Sequence, residues 1–249
     1  MGSSEVLFDS HDAVGIATIN RSHKRNALSV EALYRLTEII TVASKKRSSR
    51  ALVLEGAGDE CFCAGMDLAA AHAGGAEVSR AVEAFHAALH AADRVPIVAA
   101  VRGMAVGGGF ELMTRCDLVV ASCQARFSLP EAGRGLVPGG GALLFPTRLP
   151  LAVALEMALL GDFWPAQRLL ELGMINRIVR NEDVRDTAID LASQLAELPP
   201  ATTARIRYLL TLTATKGPAA AIQAMRELEL TPELRAEANA GMAKFLSRH

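Results

Sequence analysis

Residues Ile97–Asp117 read IVAAVRGMAVGGGFELMTRCD. The first five, Ile97 to Val101, are apolar and partly β-branched, the composition of a strand. Three consecutive glycines follow, Gly107-Gly108-Gly109, and Phe110-Glu111-Leu112-Met113 then opens a helical pattern. A glycine turn at a helix start exposes backbone amides, lets a ligand approach closely and can hold an oxyanion. The spacing is not GxGxxG, and no Lys-Ser or Lys-Thr follows, so this is not a nucleotide-phosphate loop.

Outward from this segment, Val14–Ile19, Ala51–Gly56 and Asp117–Ala121 have the same strand character. Ser29 precedes a run in which Leu33, Leu36, Ile39, Ile40 and Ala43 recur at the spacing of a buried helix face. Lys45-Lys46-Arg47 suits the end of that helix, where cations complement the dipole. Strands alternating with helices predict an α/β chain. From about Leu151 the strands stop on this reading, and helices punctuated by Pro165, Pro199-Pro200, Pro218 and Pro232 fill the remainder. A short loop is expected at His72 to Ser79, where Gly74-Gly75 interrupts the pattern.

The chain has 249 residues, 51% of them hydrophobic, enough to bury a sizeable core. Its 26 Lys plus Arg nearly balance 27 Asp plus Glu, which disfavours a nucleic-acid binder. No apolar run reaches the roughly 18 residues of a membrane span, and the first residues lack the order of a secretory signal. A cytoplasmic protein is expected, with no membrane or nucleic-acid partner. The four cysteines form neither a disulfide framework nor a zinc pattern.

Four groups of residues are candidates for chemistry. Cys61-Phe62-Cys63 has the wrong spacing for tetrahedral zinc and reads as small buried hydrophobes. His86 and His90 share one helix face but lack a third ligand, so surface or packing roles are expected and no metal is. The triple glycine offers amides. Glu111, directly after it, and Glu131, after Leu129-Pro130, are the two acids; taken singly they read as a first-turn acid and a surface or N-cap acid.

Together these segments resemble the enoyl-CoA hydratase/isomerase (crotonase) family across nearly the whole chain. INRSHKRNALS (residues 19–29) resembles the family's opening NRP…NAL motif, CFCAGMDL (61–68) its first oxyanion segment and VRGMAVGGGFELMTRCD (101–117) its second. RFSLPEAGRGLVPGGG (126–141) resembles the segment carrying a second acid, and ELGMINRIV (171–179) a later A…GLV motif. The resemblance implies a spiral of repeated ββα units over residues 1–190. A C-terminal helical region, 191–249, would mediate homotrimers that often pair into hexamers.

The resemblance further implies that the amides of Met66 and Gly108 form an oxyanion hole and that Glu111 and Glu131 are the catalytic pair. Lys24, Arg25, backbone near Ala64, and Arg248 reaching a neighbouring subunit would bind CoA, which belongs to the substrate; no separate cofactor is implied. The expected activity is hydration of a trans-2-enoyl-CoA to 3-hydroxyacyl-CoA. A double-bond isomerase or other crotonase-fold enzyme, and a non-catalytic acyl-CoA-binding protein, are the alternatives. Departures at Ser22, Ala142-Leu143 and Glu237 to Gly241 bear on the acyl pocket more than on the chemistry.

Overall fold

The computed structural model describes residues 4–46, 49–226 and 231–247. An N-terminal hairpin, β1 (Val6–His11) and β2 (Val14–Ile19), leads to α1 (Val30–Lys46). The Ser29 hydroxyl accepts the Ala32 N–H at 3.0 Å, capping α1, and Leu33, Leu36, Ile39, Ile40 and Ala43 are all buried. Full burial of each larger member of that stripe is worth roughly 1.5–3 kcal/mol, so α1 is held mainly by its inward face.

Next come β3 (Ala51–Gly56), β4 (Cys61–Cys63), α2 (Leu68–Ala73), α3 (Ala76–His90), β5 (Ile97–Val101), β6 (Met104–Val106), α4 (Gly108–Arg115), β7 (Leu118–Ser122) and β8 (Arg126–Ser128). The chain continues through α5 (Leu151–Leu160), β9 (Trp164–Pro165), α6 (Ala166–Glu171), β10 (Arg177–Val179) and α7 (Val184–Glu197), and ends in α8 (Pro200–Lys216), α9 (Pro218–Arg226) and α10 (Pro232–Leu246).

The strands form two sheets, β1-β2-β3-β5-β7-β10 and β4-β6-β8-β9. From β3 to β8 each turn of the chain places one strand in the first sheet and the next in the second, with helices between turns. This is the expected ββα spiral. Pairing is parallel from β2 through β10 and from β4 through β8; among the described residues only the β1/β2 hairpin and the β8/β9 edge are antiparallel. Parallel strands are buried on both faces. Alternate residues Val14, Ile16, Val53, Val98, Ala100 and Val120 therefore meet α7, and the others face the main core.

Two sequence expectations are corrected. Strands do not stop at Leu151: β9 and β10 lie beyond it, and β10 extends the first sheet beside β7. They are two and three residues long, too short to show a period of 2. The segment from His72 to Ser79 is not a loop, because α2 and α3 occupy it on either side of Gly74-Gly75. The division placed at residue 190 falls inside α7, whose Val184, Ala188, Ala192 and Ala196 form one buried face against the first sheet. Small side chains at a four-residue spacing let this helix lie close to the strands.

Candidate active site

Met66 lies just beyond β4, where Leu28 forms a parallel bridge with it. The bridge bonds run from Leu28 N–H to the Gly65 carbonyl at 2.8 Å and from Asp67 N–H to the Leu28 carbonyl at 2.9 Å. In that geometry the Met66 amide points away from Leu28. Arg21 anchors the segment through an ion pair with Asp67 at 3.1 Å and is itself paired with Glu5 at 2.9 Å. Its guanidinium holds the Asp67 carboxyl below the usual carboxylate range.

Gly108 is the first residue of α4, so its amide is one of the donors a helix start leaves without an intrahelical partner. The two amide-bearing segments touch: a Cβ built at Gly65 would lie 2.9 Å from the Gly108 nitrogen, and one at Gly108 would lie 3.6 Å from the Met66 nitrogen. The exposed amides foreseen at the triple glycine thus converge with that of Met66.

Both acids converge on the same place. Glu111, on the first turn of α4, is only 4% exposed. Its Oε2 accepts the Gly141 N–H at 2.9 Å, and its Oε1 is buried without a partner among the described residues. Gly141 must be glycine, since a Cβ there would overlap the Cβ and Cγ of Glu111. Glu131 lies over the turn before α4: a Cβ at Gly107 would sit 2.5 Å from Glu131 Oε1, and Gly107 has φ +55. Glycine is required there twice, for the backbone conformation and for the carboxyl above it. Glu131 Oε2 is also buried and unpartnered, and no side-chain cap bond is formed by this residue. Burial raises the Glu131 carboxyl above its ordinary value, and the charge of Glu111 adds to the rise.

A cavity of about 230 Å³ opens beside Met66, Gly108 and Glu111. Leu28, Leu33, Val82, Phe85, Leu89 and Leu112 make most of its wall apolar, and His86 and Arg115 interrupt it. Three of the four CoA candidates lie together: Lys24 and Arg25 are exposed at a 3-10 turn, and the Arg25 carbonyl accepts the Ala64 N–H at 3.0 Å. Arg248 lies outside the described residues. Cys61 and Cys63 are buried in β4, their thiols pushed up to about 11 and about 12 by burial, as befits small core side chains.

The enoyl-CoA hydratase/isomerase family model matches residues 9–249. The chain belongs to that family. Carnitinyl-CoA dehydratase of Proteus mirabilis is 36% identical over 189 residues, covering 75% of this chain and 72% of the relative. The crystal structure of an enoyl-CoA hydratase from Mycobacterium tuberculosis superposes with a TM-score of 0.88 at 33% identity, covering 99% of this chain and 97% of the other. An enoyl-CoA hydratase from Polaromonas gives a TM-score of 0.84 at 29% identity, covering 98% and 97%. This crotonase-family chain is accordingly an enzyme of the CoA-thioester hydratase, dehydratase and isomerase group. The Gly141 amide, Arg21 and the cavity residue Arg115 were not singled out from sequence, and His86, read there as a surface or packing residue, lines the cavity. Helical spacing alone could have flagged Arg115, four residues after Glu111 and on the same face of α4.

Proposed function

We propose that this enzyme interconverts trans-2-enoyl-CoA and 3-hydroxyacyl-CoA, with Glu111 and Glu131 as its acid–base pair. The observation that carries the reading is the pairing of two buried, unpartnered carboxyl oxygens with two amides that have no secondary-structure partner. Ionised Glu111 takes a proton from water as the water oxygen bonds to C3 and the double-bond electrons move onto the thioester oxygen. The amides of Met66 and Gly108 stabilise that oxyanion, since they are fixed before the charge develops. Protonated Glu131 then delivers its proton to C2 as the enolate collapses. One water is added, and a proton passing from Glu111 to Glu131 restores the pair.

The raised Glu131 carboxyl supports the acid role, and the Gly141 bond to Glu111 Oε2 holds the base in one orientation. Lys24 and Arg25 would meet CoA phosphates, the backbone near Ala64 its adenine, and Arg248 a neighbour's CoA; no cofactor beyond the substrate takes part. Dehydration, the reaction in the name of the Proteus relative, is the same chemistry reversed. A carnitinyl chain, however, ends in a quaternary ammonium, and the Arg115 guanidinium on the cavity wall opposes a cation there. Loss of enoyl absorbance across a trans-2-enoyl-CoA series, with 3-hydroxyacyl-CoA as product, is the expected result. A 3-enoyl product would make the enzyme an isomerase, and binding without turnover would make it an acyl-CoA carrier.

Self-association belongs to the same proposal. The chain exposes 13157 Å², against the roughly 10,600 Å² expected of a monomeric protein of this mass. Met225 and Phe245 are 57% and 63% exposed on the terminal helices, and Ile222 is also exposed; Leu228 and Leu230, expected to share that role, lie outside the described residues. Sedimentation is expected to give a trimer or hexamer that a cut from Gly241 onward disrupts. A monomer before the cut would remove the interface.

A further inference from the structure

Arg115 ends α4 and is only 9% exposed, yet no carboxylate lies within 4 Å of it among the described residues. Among the described residues its side chain makes one hydrogen bond, from Nη1 to His90 Nε2 at 2.8 Å. The nearby Asp117 is committed elsewhere, to the Arg94 guanidinium at 2.5 and 3.0 Å and to the Ile97 N–H at 2.7 Å. Arg94 also donates to the Arg115 carbonyl at 3.2 Å, fixing the backbone from which the side chain projects. A buried cation without a close counter-ion is costly, and the usual resolutions are a bound anion or a functional requirement.

The same side chain lines the cavity beside Glu111, Met66 and Gly108. It stands four residues beyond Glu111, about 6 Å along α4, and is the last α4 residue on the cavity wall, at the end away from Gly108. His86, on α3 and also lining the cavity, is brought down to about 4 by burial and by the charges of Arg115 and His90. At neutral pH it is an uncharged ring, so the guanidinium is the charged group at that end. Apart from Glu111 and the backbone of Gly108 and Gly139, the rest of the cavity lining is apolar.

We infer that Arg115 is a specificity-determining residue that selects a short acyl chain ending in a carboxylate. Roughly two to four carbons beyond the reacting pair would bring that carboxylate into reach across one helical turn. The planar guanidinium would receive it in a paired hydrogen-bond geometry that lysine does not reproduce. The inference deepens the acyl-CoA reading above by naming the substrate's distal group. A competing role for Arg115, keeping Glu111 ionised through its charge, would act on every acyl chain alike.

The test uses two saturated thioesters of equal chain length, glutaryl-CoA and pentanoyl-CoA, titrated into the whole enzyme by calorimetry. Neither can be hydrated, so selectivity stands or falls whether or not the enzyme is a hydratase. The wild type is expected to bind glutaryl-CoA about tenfold or more tightly than pentanoyl-CoA. Arg115→Met is expected to reverse the order, and Arg115→Lys to keep part of the preference. Equal or weaker binding of glutaryl-CoA by the wild type would overturn the inference without any variant having to fold. So would an Arg115→Met protein that weakens both ligands by the same factor.

Discussion

Glu111→Gln and Glu131→Gln are each expected to lower kcat by at least about 10²-fold while CoA-ester affinity changes little. Glutamine keeps the shape and the hydrogen bond available at Gly141, but it neither accepts nor delivers the proton. At Glu111 the amide would still fill the space between α4 and the Gly139-Gly140-Gly141 loop, so the loss should fall on the chemical step. If the two acids serve one water, the double variant should lose less than the product of the single losses. Glu131 also makes a prediction about pH. Its carboxyl is raised, so the protonated form needed for delivery persists above the ordinary range and is lost as pH rises through the folded value. A pH profile of kcat should therefore carry a falling limb on its alkaline side that Glu131→Gln removes. Near wild-type turnover in either single variant would take that residue out of the mechanism.

Gly108→Pro should abolish measurable hydration, because it deletes one of the two amides assigned to the oxyanion; loss of one such donor typically costs about 10² to 10³ in rate. The position suits the experiment. Gly108 is the first residue of α4, the helix position at which proline is best tolerated, and a Cβ there would meet nothing closer than 3.4 Å. A folded variant is expected, with its secondary structure intact by circular dichroism. Full activity in that folded protein would refute the oxyanion assignment. Gly108→Ala serves as the companion, since it keeps the amide and adds only ordinary van der Waals contact.

Much of the frame is local information. The strand character of residues 14–19, 51–56 and 97–101 comes from contiguous apolar residues, and each forms a strand of the first sheet. The face of α1 was legible because five buried positions recur at helical spacing within one segment. The second sheet was not legible in the same way. Its strands β4, β6 and β8 have three residues each, too few for any period, and they exist because each lies beside the next turn's strand. The resemblance of whole motifs was needed to expect a spiral.

The candidate site divides along the same line. Glycines before a helix and an acid on its first turn are short-range features, so local sequence is enough to put amides and a carboxylate together at the start of α4. Bringing Met66 beside Gly108, setting Glu131 over Gly107 and bonding Glu111 to Gly141 required contacts across 42, 24 and 30 positions, respectively. Those contacts follow from the stacking of successive spiral turns, and no pattern within one segment encodes them. The surroundings of Arg115 were decided in the same way. The tertiary structure gives the carboxylate of Asp117, two residues along the chain, to Arg94 in the connection between α3 and β5. Packing alone therefore left the guanidinium at the wall of the cavity, because a carboxylate held by one arginine and a backbone amide has little capacity left for a second cation.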